Sequence, residues 1–460
     1  MNVLLVATYE MGRQPFGLAS PAAWLEREGC RVRCLDLAVD ELDRGAVLEA
    51  NLVALHLPMH TATRLAIPVA RAIGALNPGA HLCFYGLYAP LNADLLRSLG
   101  GRTILGGEFE SGLVELARRL RSEPAPARVG QAEPLVALAR QQFLVPARGG
   151  LPALERYARL QVGPDEGRIV GYTEASRGCR HLCRHCPVVP VYRGRFRIVQ
   201  ADVVLEDVAR QVSGGASHIT FGDPDFFNGP RHALAVVRAL HERFPDLTYD
   251  VTIKVEHLLA HRRHLAELRR TGCLFITTAA ESLDDRVLQL LDKGHTRADF
   301  LEAVRLTREQ GLHLVPTFVA FAPWVTRAGY LDLLRTIVEL DLVEHVAPVQ
   351  YAIRLLITAS SRLLEIDEVQ RVVGTFDAER LAWRWEHPDP GLDRLQREVT
   401  RAVHEARHGN DSRADVFRRV WRLALEACDR ATAETLELAT PAHGAPARAT
   451  VPYLTEPWYC

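Results

Sequence analysis

Short apolar runs alternate with segments of helical period along most of this chain, and no other feature restricts its fold as much. Strands separated by helices pair in parallel, and the helices must then cover the faces of the sheet. Over residues 1–122 the strand-like runs fall at 2–8, 31–35, 52–57, 81–85 and 103–105, with helical segments around 62–75 and 112–120. Ser20-Pro21 supplies a cap and a first-turn proline, predicting a helix over 22–28 closed by Gly29. The expected product is an α/β unit with a doubly wound parallel sheet. Residues 123–167 are broken up by Pro124, Pro126, Pro134, Pro146, Pro152, Pro164 and the pair Gly149-Gly150, as a connector would be.

A second alternating series follows, with strand-like runs at 169–173, 218–222, 248–255, 273–278, 312–321 and 346–355. Six such units predict a partial (β/α)6 barrel of the TIM type over 168–364, whose functional residues stand at the carboxyl ends of the strands. Residues 365–436 read as an Arg-rich helical region, and 437–460 as a mobile tail ending in Cys460.

Composition narrows the function. The 460 residues are 48% hydrophobic and 24% charged, with a formal net charge of -1, which excludes general disorder and gives no basic field for nucleic acid or a membrane surface. A small-molecule substrate is favoured. The opening run reads as a strand rather than a signal peptide, and no apolar stretch approaches the ~18 residues of a membrane span, so a cytoplasmic location is expected. Of 55 basic side chains only Lys254 and Lys293 are lysines. The nine cysteines are odd in number and point to metal binding, catalysis or packing rather than a disulfide framework. Cys30, Cys34, Cys83, Cys273 and Cys428 fall on predicted strands or a helix, where a buried thiol is the default.

Cys179, Cys183 and Cys186 form Cys-x3-Cys-x2-Cys directly after the first strand of the second series. Three thiolates so spaced can converge on one inorganic centre. Zinc, with His181 or His185 as fourth ligand, is the alternative, and would make the chain a binding or redox-sensing protein without turnover. From Glu174-Ala175-Ser176-Arg177-Gly178-Cys179 onward the segment resembles the cluster-binding signature of the radical S-adenosylmethionine superfamily. The resemblance implies a 4Fe-4S cluster on the three cysteines, S-adenosylmethionine on the open iron, reductive cleavage of that sulfonium, and an external electron donor such as flavodoxin or ferredoxin. His185 departs from the pattern, which usually has an aromatic residue before the third cysteine.

Further matches stand at later strand ends. Gly222-Asp223-Pro224-Asp225-Phe226-Phe227 takes the place of the motif that binds the substrate ammonium, making Asp223 its implied partner; an Asp-Pro turn is the plain alternative. Lys254 and Glu256, read on one face of a strand, are either catalytic candidates or a salt-bridged rim. Ala279-Ala280-Glu281-Ser282 and Asp292-Lys293-Gly294-His295 resemble segments of cobalamin-associated members, where Glu281 and Ser282 would approach the ribose and methionine parts. Arg354 would bind the carboxylate, or serve as a structural arginine at the core edge.

The first unit resembles a cobalamin-binding domain that lacks Asp-x-His-x-x-Gly. Its implied contacts lie on the loops 9–12, 58–61 and 106–108, with His60, Gly106 and Gly107 as cofactor candidates, unless the domain only caps the barrel. Residues 8–21 and 454–460 resemble the CUAEP/CCAEP-tail radical S-adenosylmethionine (seleno)protein family. That likeness makes Cys460 a third catalytic candidate and implies a selenocysteine codon read as a stop after it. Within the class, methyl transfer or another carbon transfer is expected. Transfer of a 3-amino-3-carboxypropyl radical to a soft element such as arsenic is the alternative.

Overall fold

The computed structural model describes residues 1–122, 131–163, 166–408, 411–428 and 451–455. Its first sheet contains β1 (Asn2–Ala7), β2 (Arg31–Asp36), β3 (Leu52–His56), β4 (His81–Tyr85), β5 (Thr103–Gly107) and β6 (Val136–Ala137) in the order β2-β1-β3-β4-β5-β6. All pairings are parallel. Every residue of β3, β4 and β5 is buried, because apolar clusters cover both faces of the sheet. The helix predicted at 22–28 begins earlier, at Phe16, and runs to Arg27 with Pro21 inside it; Pro15 rather than Ser20 holds its N-cap.

The connector joins the sheets physically. β6 extends the first, and β7 (Arg159–Gln161) pairs antiparallel with β8 (Gly167–Thr173) of the second. A short ribbon of β9 (Ser176–Gly178) and β10 (Phe196–Ile198) lies beyond β8. Then come β11 (His218–Phe221), β12 (Thr248–Thr252), β13 (Cys273–Glu281) and β14 (His313–Phe318), which with β8 make a curved parallel sheet in sequence order.

The sixth parallel strand expected at 346–355 is reduced to one bridge between Phe321 and Arg354. Pro348 has no N–H for a ladder and opens a 3-10 turn, Pro348–Tyr351, in its place. The third strand stops at Thr252, so Glu256 stands on the helix Val255–Ala260 with Lys254 as its N-cap, and strand alternation does not govern the pair. The region after 364 is not wholly helical: β15 (Val373–Asp377) and β16 (Ala382–Trp385) form a hairpin before the helices Pro390–His408 and Arg413–Ala427.

Within the segment read as a mobile tail, β17 (Tyr453–Leu454) pairs with β7, and Thr455 N–H donates to the Arg159 carbonyl at 2.8 Å. Tyr453 and Leu454 there line a barrel cavity of about 370 Å3, together with Asp250, Thr277, Thr317 and Arg413. Cys460 lies outside the described residues. Among the described residues no helix is long and apolar enough to cross a membrane.

Candidate active site

The cysteine loop is fixed from three sides. Gly178, at φ +76°, leads into it, and a Cβ there would stand 2.4 Å from the Tyr192 ring and 2.5 Å from the Arg195 carbonyl. Only glycine permits that approach. Asn228 accepts from Arg180 N–H at 3.1 Å and donates to the Gly178 carbonyl at 3.3 Å, tying the loop to the turn after β11. Arg184 N–H donates to the Leu291 carbonyl at 2.9 Å, tying it to the turn after β13. Cys179 and Cys186 also pack against the apolar cluster of the first sheet. Asn228 escaped sequence reasoning, although it directly follows the motif that begins at Gly222.

Burial pushes the Cys179 thiol up to about 11 and the Cys186 thiol up to about 12, and the neighbouring thiols add to both shifts. Positive charge works the other way: Lys254 favours the thiolate at Cys179, and Lys293 at Cys186. Both lysines of the chain therefore stand beside the cysteine loop. Metal binding must displace the thiol protons, and these ammonium groups lower the cost.

Glu281 ends β13 in the left-handed region at φ +65°. Its carboxylate meets His185 Nε2 at 3.0 Å and Lys293 Nζ at 3.3 Å, so His185, in place of the usual aromatic residue, links the cysteine loop to β13. Burial alone would raise the Glu281 carboxyl, but Lys293 and His185 outweigh it and bring it down to about 2. The Ser282 hydroxyl accepts from Asp284 N–H at 3.1 Å in the following turn.

Asp223 lies at the base of the loop, 3% exposed, and accepts from Ala175 N–H at 2.9 Å and Ser176 Oγ at 2.5 Å. Burial raises its carboxyl to about 7, against the pull of those two donors. Lys254 Nζ is 3.0 Å from Glu256 and 3.1 Å from His181 Nδ1. Arg354 is occupied elsewhere: it donates to Asp393 at 2.5 Å and to the Trp385 carbonyl at 2.6 Å, with its guanidinium over the Trp385 ring.

A second cavity, of about 210 Å3, opens between the carboxyl edges of the two sheets. Gly107 lines it; Gly106 instead packs against Pro90, and His60 Nε2 hydrogen-bonds the Arg380 carbonyl at 2.6 Å. Sequence reasoning missed His56, which lies over Gly17 so closely that a Cβ there would be 1.9 Å from the ring. Its Nδ1 is 3.7 Å from Glu10 Oε2, and both atoms are buried without a hydrogen bond. At the floor of the crevice Arg177 bridges the sheets, pairing with Glu110 at 2.7 Å, Glu174 at 2.6 Å and Glu108 at 3.4 Å.

The comparisons agree with this geometry. Residues 173–335 match the family model of the Radical SAM superfamily. A tRNA-2-methylthio-N(6)-dimethylallyladenosine synthase from Desulfosudis oleivorans is 26% identical over 204 residues, 42% of each chain. The chain thus spans less than half the length of this curated relative. The cobalamin-dependent S-adenosylmethionine radical enzyme OxsB superposes with a TM-score of 0.66 at 13% identity, covering 95% of this chain and 70% of that one. The radical S-adenosylmethionine methyltransferase TsrM from Kitasatospora setae does so at 0.58 and 20%, covering 74% and 71%. At these identities the two structures establish the shared α/β architecture. The chain therefore carries a radical SAM domain, and with it the expectation of S-adenosylmethionine and a 4Fe-4S cluster.

Proposed function

We propose that the protein is a radical S-adenosylmethionine enzyme that modifies a small-molecule substrate by radical methyl transfer or another carbon transfer. The observation that carries this reading is the loop of three thiols beyond the end of β8, beside both lysines of the chain. Cys179, Cys183 and Cys186 would hold the cluster. Reductive cleavage of the sulfonium is the chemistry that these cofactors supply. The chain's own residues orient and shield. Asp223, buried and close to neutrality, would receive the substrate ammonium, whose charge favours the carboxylate. Ser282 would contact the methionine part. Glu281 is already committed to His185 and Lys293, so in this reading it holds those two groups beside the thiols. Arg354 is satisfied by Asp393 and Trp385 and takes no part.

Cobalamin fits the crevice between the sheets in position and chemistry: OxsB and TsrM are each described with cobalamin bound, and Glu10 Oε2 and His56 Nδ1 are buried polar atoms in want of a partner. The crevice of about 210 Å3 is smaller than common ligand pockets of ~300–1,000 Å3, so a corrin requires the rims to part. Gly107 would line it.

We further assign the chain to the CUAEP/CCAEP-tail family on residues 8–21 and 454–460, with Cys460 as a tail ligand or redox group, and to a reducing cytoplasm with flavodoxin or ferredoxin as electron donor. The units 1–122, 168–364 and 365–436, joined by 123–167, are its working domains. The family match over residues 173–335 favours the cluster over zinc at the cysteines. Mass spectrometry of nucleosides after anaerobic reduction with S-adenosylmethionine tests the proposal: S-adenosylhomocysteine with 5′-deoxyadenosine is expected. Methylthioadenosine would replace methyl transfer by aminocarboxypropyl transfer, and no cleavage at all would overturn the reading.

A further inference from the structure

Three side chains beside the cysteine loop have no role in the chemistry above. His181 lies between Cys179 and Cys183, Asp225 caps the 3-10 turn Phe226–Asn228 after β11, and His257 stands on the first turn of the helix after β12. Three strand-end loops thus bring two imidazoles and a carboxylate to one point. Asp225 Oδ2 is 2.7 Å from His257 Nδ1 and 3.3 Å from His181 Nε2, and one donor atom from each residue lies within 4.8 Å of the others. Donors bound ~2.1 Å from a shared ion stand about 3.0–3.4 Å apart, so the cluster already has the span of a coordination sphere.

Hydrogen bonding accounts for it only in part. Asp225 is 1% exposed, with its Oδ1 engaged by Phe227 N–H at 3.0 Å, while Oδ2 alone faces both His257 Nδ1 and His181 Nε2, and neither approach has the direction of a good hydrogen bond. Two buried imidazole nitrogens sharing one carboxylate oxygen carry a desolvation cost that a shared cation would lower.

We infer that His181, Asp225 and His257 form a second metal site, for one divalent first-row transition ion bound through nitrogen and oxygen alone. Two imidazoles with one carboxylate suit Fe2+, Co2+, Ni2+ or Zn2+ and leave positions open to water or substrate. Lys254 Nζ, which can only donate, stands 3.1 Å from His181 Nδ1, so ligation through Nε2 must move the ring proton to Nδ1 and turn that atom from Lys254 toward Glu256 Oε2, 3.6 Å away. Lys254, also beside Nδ1, is neutralised by Glu256 at 3.0 Å and does not repel the ion unopposed. Glu256 is thus a positioning residue for the metal. The site shares no ligand with the cysteine cluster and does not depend on the radical reading.

The test uses untagged full-length protein carrying Cys179→Ala, Cys183→Ala and Cys186→Ala together, so that the thiols of the cysteine loop do not compete, titrated anaerobically with Co2+. One equivalent is expected, with the weak visible bands of nitrogen and oxygen ligands and no sulfur charge-transfer band. Adding Asp225→Asn or His257→Gln should weaken binding at least about tenfold, and Glu256→Gln by roughly 10–100-fold, the usual effect of an outer-sphere partner. Circular dichroism establishes that each variant is folded. Wild-type protein with its cluster assembled, exposed to Zn2+ and desalted, should carry one zinc per cluster. Absence of saturable binding in the triple-alanine protein, or affinity indifferent to D225N and H257Q, overturns the inference. Acid-labile sulfide in the wild type reports separately on the cluster.

Discussion

In the first sheet the strand ends facing the crevice offer Glu10, His56, Gly107 and the carboxylates Glu108 and Glu110 that Arg177 holds; in the barrel sheet they offer three thiols, both lysines and the carboxylates Asp223, Asp225 and Glu281. Both sheets are parallel, β7 and β17 at one edge of the second excepted, and apolar clusters pack against them. The difference lies in how charge is held. On the barrel rim Glu281 draws counter-charges from two other segments, His185 of the cysteine loop and Lys293, so the loops there are mutually fixed. On the first sheet the buried pair Glu10 and His56 is left without hydrogen bonds, as a surface awaiting a ligand would be. A rigid, charged edge thus faces a docking edge, and substitutions should separate the two.

The largest separation comes from the thiols. Replacing Cys179, Cys183 and Cys186 by alanine should remove the cluster's iron, acid-labile sulfide and all nucleoside product, whereas H56A should keep cluster iron and sulfide at parental levels. Loss of the cluster in H56A, by the same sulfide assay, would erase the distinction. Next in size is Lys293→Met. The pair with Glu281 is almost fully buried, and breaking such a pair costs about 3–5 kcal/mol. Urea unfolding should register that loss, with poorer retention of iron, while E10Q on the other edge should shift stability by less than ~1 kcal/mol.

Asp223→Asn sharpens the contrast through pH. With its carboxyl raised to about 7 by burial, Asp223 keeps a proton in the folded chain that the unfolded chain releases above roughly pH 4. The cost to stability builds between roughly pH 4 and pH 7 and is complete above that window. Removing the charge should therefore raise the melting temperature of ligand-free protein more near pH 8 than near pH 5, while S-adenosylmethionine affinity falls at both. A gain in melting temperature independent of pH would contradict this. The smallest expected effect belongs to H56A in cobalamin binding: equilibrium dialysis should show a several-fold loss of affinity, with S-adenosylmethionine affinity unchanged.

Much of this architecture was legible in the sequence wherever the signal was local. Apolar runs with helical segments between them mark both parallel sheets, and the thiol spacing with its preceding strand puts the cysteine loop at the rim. What was not legible depends on contacts distant in sequence. Nothing near Arg354 announces that Asp393 and Trp385 absorb its guanidinium. Residues 248–255 are apolar enough for one strand, and only Lys254 acting as an N-cap reveals that a helix has begun. Pro348, by contrast, was a visible warning against a strand over 346–355. His56 ends an ordinary buried strand, and its exposure to the crevice follows from Gly17, a residue 39 positions earlier on another element.

The central claim is a cluster on three cysteines with one iron left open to S-adenosylmethionine. Electron paramagnetic resonance of the reconstituted, anaerobically reduced protein tests it most directly, recorded with and without that ligand. A reduced 4Fe-4S signal whose g-values shift on adding S-adenosylmethionine is predicted; a signal that the ligand leaves unchanged, or no cluster signal from fully reconstituted protein, would contradict the account.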